Sequence, residues 1–382
     1  MQVSHTARIL LTLPLHACIG VEEPGPIDGH LEYGVGDLDG DRRTDLVILN
    51  SYEIDPESGA IVRGDPNRIA FNDGDSGWTL VELWRGGLTT IGDFDGDGVD
   101  DLARATGRRE DKPPLRVWMG GLHRDLLLVV QPPASREISM CGWEAVDYLV
   151  ERPGEELLCG TYKAETNTEE IYVVTIGETI EALAPGILTT NVLGRYSNGD
   201  FDGDGVIDIV FAGGSPWGPA LSLHRNVGGG QFDTKEYGRG ETQHVNVGEF
   251  DGEPGLEIAY VELGGGFPKR RGERARLYWA VWADDELSEL GSFELPIDSY
   301  WMEQGDIDLD GREELLVAHP EGLVRVDFDG PTPTMAELDL IRGILMDADS
   351  DGDLDMVRFD YDLDEIIVLT NDGTGSFTAS GP

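Results

Sequence analysis

Short apolar runs rich in β-branched residues recur along the chain, and each emerges from an acidic, glycine-rich stretch; Leu46-Val47-Ile48-Leu49 and Ile209-Val210-Phe211 are the clearest. Runs of this length and type predict buried strands, and no long stretch keeps a helical period. A second signal alternates with the first. Asn72-Asp73-Gly74-Asp75-Ser76-Gly77-Trp78, Asn226-Val227-Gly228-Gly229-Gly230-Gln231-Phe232 and Asn371-Asp372-Gly373-Thr374-Gly375-Ser376-Phe377 are Asn- and Gly-rich segments ending in an aromatic, the composition of a hairpin turn. Each unit therefore reads as strand a, acidic loop, buried strand b, variable loop, strand c, glycine turn, strand d. Units recur at intervals of about 40 to 60 residues, long enough for a four-stranded antiparallel sheet. The pattern predicts an all-β fold of seven such sheets packed face to face in a ring, which leaves only protected edges.

The acidic stretch is best seen in Gly92-Asp93-Phe94-Asp95-Gly96-Asp97-Gly98-Val99-Asp100-Asp101-Leu102. Asp93, Asp95, Asp97 and Asp101 take the first, third, fifth and ninth positions of one loop, with glycines that let the backbone turn sharply. Corresponding acids are Asp37, Asp39, Asp41 and Asp45; Asp200, Asp202, Asp204 and Asp208; Glu249, Asp251, Glu253 and Glu257; Asp306, Asp308, Asp310 and Glu314; and Asp347, Asp349, Asp351 and Asp355. A degenerate copy lies third in order. There Glu155-Glu156-Leu157-Leu158 matches Glu313-Glu314-Leu315-Leu316, but Tyr148, Val150 and Arg152 stand at the ligand positions.

Four carboxylates and a backbone carbonyl come close to filling the oxygen shell of Ca2+, and without a cation they would repel one another. The loop is not an EF-hand. That motif needs a bidentate Glu at its twelfth position and a following helix, whereas Arg104 stands there and strands follow. Asp-Gly pairs make turns unaided, which explains one or two acids per loop but not the acid at the ninth position. Up to six Ca2+ are expected, pinning the a–b hairpins. The copy at Glu249 has longer side chains and a stiff Pro254, so its affinity stays open.

The Gly-Asp-x-Asp-Gly-Asp-Gly-x-x-Asp loop between strands resembles the FG-GAP or VCBS repeats of integrin α-subunit propellers and of exported bacterial proteins, over roughly residues 30–382. The resemblance implies a seven-bladed β-propeller of four-stranded blades, calcium in the loops at the positions named above, and a role in adhesion or ligand binding. It also implies that the third loop holds no metal.

A net charge of −46 excludes nucleic acid and a bare anionic membrane as partners of the surface as a whole. Arg8 precedes an apolar run, Ile9 to Leu15, that is too short to span a bilayer, and Leu15-His16-Ala17-Cys18 resembles the lipobox of bacterial lipoprotein precursors. His16 departs from the usual small residue. Residues 1–18 are thus expected to be a lipoprotein-type signal with lipidation at Cys18, residues 19–29 a tether, and residues 30–382 the propeller. The other reading is a plain unstructured N-terminus. Export would place the chain at the outer membrane or cell surface, or in the periplasm or medium. Of the three cysteines, Cys141 and Cys159 then remain as an even pair flanking the degenerate loop. A disulfide and two buried thiols are the alternatives, and export favours the disulfide.

Strands alternate in direction within a blade, so the acidic loops and glycine turns share one rim, and the long variable loops share the other. The second rim gathers scarce positive charge: Arg63; Arg108, Arg109 and Lys112; and Lys269, Arg270, Arg271, Arg274 and Arg276. Two readings stand, an anion-binding face for an acidic glycan or protein, centred on Arg108, Arg109, Lys269, Arg270 and Arg271, and solvated charges beside acids such as Glu110 and Glu273. The Arg63-Gly64-Asp65 tripeptide is read as coincidence. No catalytic residues are assigned: the histidines lack zinc-ligand spacing and no nucleophile elbow or phosphate loop occurs. The expected function is a monomeric, calcium-binding, non-catalytic module for an extracellular glycan or protein. The alternatives are a calcium-dependent polysaccharide lyase or hydrolase and a structural surface-assembly component.

Overall fold

The computed structural model describes residues 31–50, 53–54, 61–62, 66–84, 88–105, 115–121, 124, 127–130, 140–149, 152–163, 168–176, 181–182, 187–189, 196–212, 219–238, 242–253, 255–262, 275–283, 286–295, 301–319, 322–328, 333–338, 340, 343–360 and 363–379. Seven successive antiparallel sheets make up the fold, that of a seven-bladed β-propeller; each runs through four strands in chain order, and a fifth strand, Ile187–Thr189, pairs with the third strand of the third sheet. Sheet 1 has Leu31–Gly36, Asp45–Asn50, Arg68–Asn72 and Trp78–Glu82; a separate two-stranded hairpin, Glu53–Ile54 with Ile61–Val62, lies in its b–c loop. Sheet 2 has Leu88–Gly92, Asp101–Ala105, Leu115–Met119 and Leu127–Val130, and sheet 3 has Met140–Val146, Glu156–Lys163, Thr168–Thr175 and Glu181–Ala182. Sheets 4 and 5 are Tyr196–Gly199, Asp208–Ala212, Leu221–Asn226, Phe232–Tyr237 and then Thr242–Gly248, Glu257–Glu262, Arg276–Ala283, Glu286–Glu294. Sheet 6 has Trp301–Gly305, Glu314–His319, Gly322–Asp327 and Thr334–Leu338; sheet 7 has Ile344–Met346, Asp355–Asp360, Glu365–Thr370 and Thr378–Ala379. Among the described residues no helix is long and apolar enough to cross a membrane.

The chain divides into two compact units. Unit 1 comprises Met1–Asp147, Glu151–Tyr162 and Glu170–Gly186 and carries sheets 1 to 3; unit 2 comprises Tyr148–Val150, Lys163–Glu169 and Ile187–Pro382 and carries sheets 4 to 7. Within each unit, successive sheets stack through the apolar face of strand b and the residue at the second position of each acidic loop. Leu38 of sheet 1 is buried with Ile91 and Leu102 of sheet 2, and Phe94 of sheet 2 with Ala145 and Leu157 of sheet 3. In unit 2, Phe201 packs with Val245 and Ile258, and Phe250 with Met302 and Leu315. Each such plug stabilises its junction by about 1.5–3 kcal/mol. The acidic loop therefore does two jobs: its odd-numbered acids face one another while its second residue is driven into the neighbouring sheet.

Candidate metal centres

The ladder register explains why the ninth-position acid turns back toward its loop. Gly36 pairs with Asp45, Gly92 with Asp101, Gly199 with Asp208, Gly248 with Glu257, Gly305 with Glu314 and Met346 with Asp355, so the ninth residue is half of the rung that closes the loop. Its carboxylate is buried, and in five of the six loops it accepts the N–H of the second loop residue: Leu38 to Asp45 and Phe94 to Asp101 at 2.9 Å, Phe250 to Glu257 and Ile307 to Glu314 at 2.8 Å, Ala348 to Asp355 at 3.1 Å. Where that acid is Asp, its other oxygen accepts the N–H that opens the glycine turn, Asn72 to Asp45 at 2.9 Å, Gly120 to Asp101 at 2.8 Å, Asn226 to Asp208 at 2.7 Å and Asn371 to Asp355 at 2.8 Å. Asn72, Asn226 and Asn371 then accept N–H groups of Gly74, Gly228 and Gly375 at 3.0 Å, as Asx turns do.

The acids at the first, third and fifth positions wind around a common point. Asp93 accepts the N–H groups of Gly96, Asp97 and Gly98 at 2.7, 3.0 and 2.9 Å, and Asp95 accepts that of Asp97 at 3.1 Å. Asp200 and Asp202 repeat the pattern with Asp204 and Gly205, and Asp37 and Asp39 with Asp41 and Arg42. Within each of five groups the three carboxylates have ligand oxygens all within 4.8 Å of one another: Asp37, Asp39, Asp41; Asp93, Asp95, Asp101; Asp200, Asp202, Asp208; Glu249, Asp251, Glu257; and Asp306, Asp308, Glu314. The fifth-position Asp97, Asp204, Glu253 and Asp310 lie outside these trios.

Burial, followed by the mutual repulsion of the acids, works against ionisation here. It pushes Asp45, Asp101, Asp208, Glu257 and Glu314 up to about 7 and Asp355 up to about 6, against backbone hydrogen bonds that pull the other way. Asp95, Asp202, Glu249, Asp306 and Asp349 are raised for the same first reason. Asp208 Oδ2, Asp308 Oδ1 and, in the seventh loop, Asp347 Oδ1 and Asp353 Oδ1 are buried without a hydrogen-bond partner in the protein. All-oxygen donor sets, convergent geometry and orphaned buried carboxylate oxygens fit a hard divalent cation such as Ca2+. The seventh-loop acids Asp347, Asp349, Asp351 and Asp355 also share one loop, where Asp349 accepts the N–H of Asp351 at 3.2 Å.

Other sequence expectations land differently. Tyr148, one of the residues standing at the ligand positions of the degenerate third loop, is buried within unit 2, where its hydroxyl bonds the Asn198 side chain and its carbonyl accepts Asn226 Nδ2 at 3.0 Å. Cys159 is buried and disulfide-bonded, and the residue directly opposite it in the ladder is Cys141. Arg276 sits on strand c of sheet 5 with Glu294 at 3.6 Å. Cys18, Arg63, Arg108, Arg109, Lys112, Pro254, Lys269, Arg270, Arg271 and Arg274 lie outside the described residues.

One set of residues escaped sequence reasoning. The eighth-position acids Asp100, Glu155 and Glu313 each clasp the loop of the preceding sheet: Asp37 N–H to Asp100 at 2.8 Å, Asp93 N–H to Glu155 at 3.1 Å and Glu249 N–H to Glu313 at 3.1 Å. Their own N–H groups return to the carbonyls of Asp37, Asp93 and Glu249 at 2.8, 2.7 and 2.7 Å. The available signal was the acid pair Asp100-Asp101, Glu155-Glu156 and Glu313-Glu314.

No family model matches this sequence, and no curated protein does so by sequence. Solved structures do match in fold. A lectin of Agrocybe aegerita that recognises non-reducing terminal N-acetylglucosamine is 16% identical with a TM-score of 0.56, over 83% of this chain and 87% of the lectin. The rhamnogalacturonan lyase YesW is 17% identical with a TM-score of 0.51, over 97% of this chain and 70% of its own. The exotype rhamnogalacturonan lyase YesX is 14% identical with a TM-score of 0.51, over 97% of this chain and 77% of its own.

Proposed function

We propose that this chain is an exported β-propeller braced by calcium that acts as a non-catalytic binding module for an extracellular glycan or protein. The observation that carries the reading is the recurrence of one cage, three carboxylates converging within 4.8 Å in loop after loop, at sites where burial disfavours their charge. Calcium would supply the positive charge that lets these acids ionise together. The residues holding it would be Asp37, Asp39, Asp41 and Asp45 and their counterparts in the other acidic loops. Glycan as the ligand class is supported by the likeness in fold to a lectin. Binding would fall to the variable loops, with Arg108, Arg109, Lys269, Arg270 and Arg271 facing an acidic ligand. Lipidation at Cys18 and a Cys141–Cys159 bridge belong to the same reading, as does a monomeric state.

A glycan array probed in calcium and in chelator tests it, alongside a variant with Lys269, Arg270 and Arg271 reversed to Glu. Calcium-dependent binding that the reversal abolishes is expected; no binding to any glycan in calcium would overturn the glycan reading. A second reading, a polysaccharide lyase, is favoured by the likeness to two rhamnogalacturonan lyases over 97% of the chain. Growth of ultraviolet absorbance from an unsaturated uronate product would decide for it.

A further inference from the structure

We infer that the loop of sheet 6 is closed by the guanidinium of Arg325, which takes the place that calcium would hold in the other acidic loops and makes this junction metal-independent. The calcium reading of the other loops stands beneath this inference, which removes one cage from it.

Arg325 lies on strand c of sheet 6 opposite Leu316, two residues along the ladder from the rung of Glu314, so its side chain runs toward the acidic loop. It is only 11% exposed. Nη2 stands 2.5 Å from Asp308 Oδ2 and 3.5 Å from Glu314 Oε1, and Nε stands 2.5 Å from Asp327 Oδ1. One oxygen of each of two donors that a cation would need, Asp308 Oδ2 at the third position and Glu314 Oε1 at the ninth, thus faces a mostly covered guanidinium, while Asp308 Oδ1 is buried without a hydrogen-bond partner in the protein. The fifth-position donor is engaged too: Arg312 Nε donates to Asp310 Oδ2 at 3.0 Å, and these hydrogen bonds hold the Asp310 carboxyl below its ordinary range. Asp306, at the first position, accepts the N–H groups of Asp310 and Gly311 at 3.0 and 3.1 Å.

The glycine turn of sheet 7 covers the arginine. Asn371 Nδ2 donates to the Ile307 carbonyl at 2.6 Å, and a Cβ on Gly375 would collide with Arg325 Nη1. A dication bound to Asp308 and Glu314 would sit against a guanidinium that cannot lose its proton, so metal and arginine exclude each other. The other arginines near acidic loops do not reach this far. Arg124 meets Asp39 at 2.9 Å with 29% of its side chain exposed, and Arg225 stands 3.7 Å from Asp202 with 36% exposed.

The test counts calcium equivalents bound by the full chain, by equilibrium dialysis, for wild type, Asp95→Asn and Asp308→Asn, with unfolding midpoints in chelator for wild type and Arg325→Gln. Asp95→Asn is expected to lose one equivalent and Asp308→Asn none. Loss of one equivalent by Asp308→Asn overturns the inference and leaves the calcium reading intact. If wild type binds no calcium, the calcium reading falls and the chelator arm decides: Arg325→Gln lowers the midpoint if Arg325 closes the loop, and an unchanged midpoint overturns it.

Discussion

The Asp100 carboxylate accepts the backbone N–H of Asp37 at 2.8 Å while the Asp100 N–H returns to the Asp37 carbonyl at the same distance. This two-bond clasp joins the acidic loop of sheet 1 to that of sheet 2. Gly36 makes room for it, since a Cβ there would lie 2.6 Å from Asp100 Oδ2 and from Ile91 Cγ2. Replacing Asp100 by Ala leaves the Asp37 N–H without its acceptor and is expected to cost about 1–3 kcal/mol. Gly36→Ala is expected to cost a similar amount, about 1–3 kcal/mol, through overpacking. Urea unfolding midpoints check both.

The ninth-position acids set the pH dependence of the calcium-free chain. Their folded values, about 7 for Asp45, Asp101, Asp208, Glu257 and Glu314, lie above those of an unfolded chain. Folding therefore holds their protons, and the stabilisation is complete below the unfolded carboxylate value and lost as pH rises through about 7. In chelator, the melting temperature should fall between about pH 5 and about pH 8. In saturating calcium the slope should flatten or reverse, because the ion favours the ionised form.

Leu309 holds a left-handed backbone, φ 58°, at a loop position where sheets 1, 2, 4 and 5 have glycine, and its side chain is 54% exposed. Leu309→Gly relieves the Cβ clash and should stabilise by about 1 kcal/mol, read as a higher denaturation midpoint.

The register opposite Cys159 makes Cys141 its expected partner. Peptide mapping without reductant should yield the Cys141–Cys159 pair, and Cys141→Ser should cost about 2–4 kcal/mol.

Strand positions and the acidic loops were legible because both obey short-range rules, alternation and turn chemistry that act within a few residues. What joins one repeat to the next was not. Asp100 reaches back across 63 positions to Asp37, and spacing within a repeat does not say which side chain of the next repeat will lie against its leading glycine. In sheets 4 and 6 the same cleft takes a leucine instead, Leu256 beside Gly199 and Leu354 beside Gly305, so neither charge nor hydropathy alone marks the position. Arg325 was hidden for a related reason: it belongs to strand c, far along the chain from the loop it enters. The loss of acids in the third loop was visible, but not that Tyr148 would be buried with its hydroxyl on the Asn198 side chain, 50 positions along the chain.

The most direct test is thermal unfolding of the full chain at neutral pH in millimolar calcium and in excess chelator. A site saturated at about 100 times its dissociation constant adds about 2.7 kcal/mol, so several loops together should raise the midpoint by more than about 5 °C. Coincident unfolding curves in the two buffers would contradict the proposal that these carboxylate cages hold calcium.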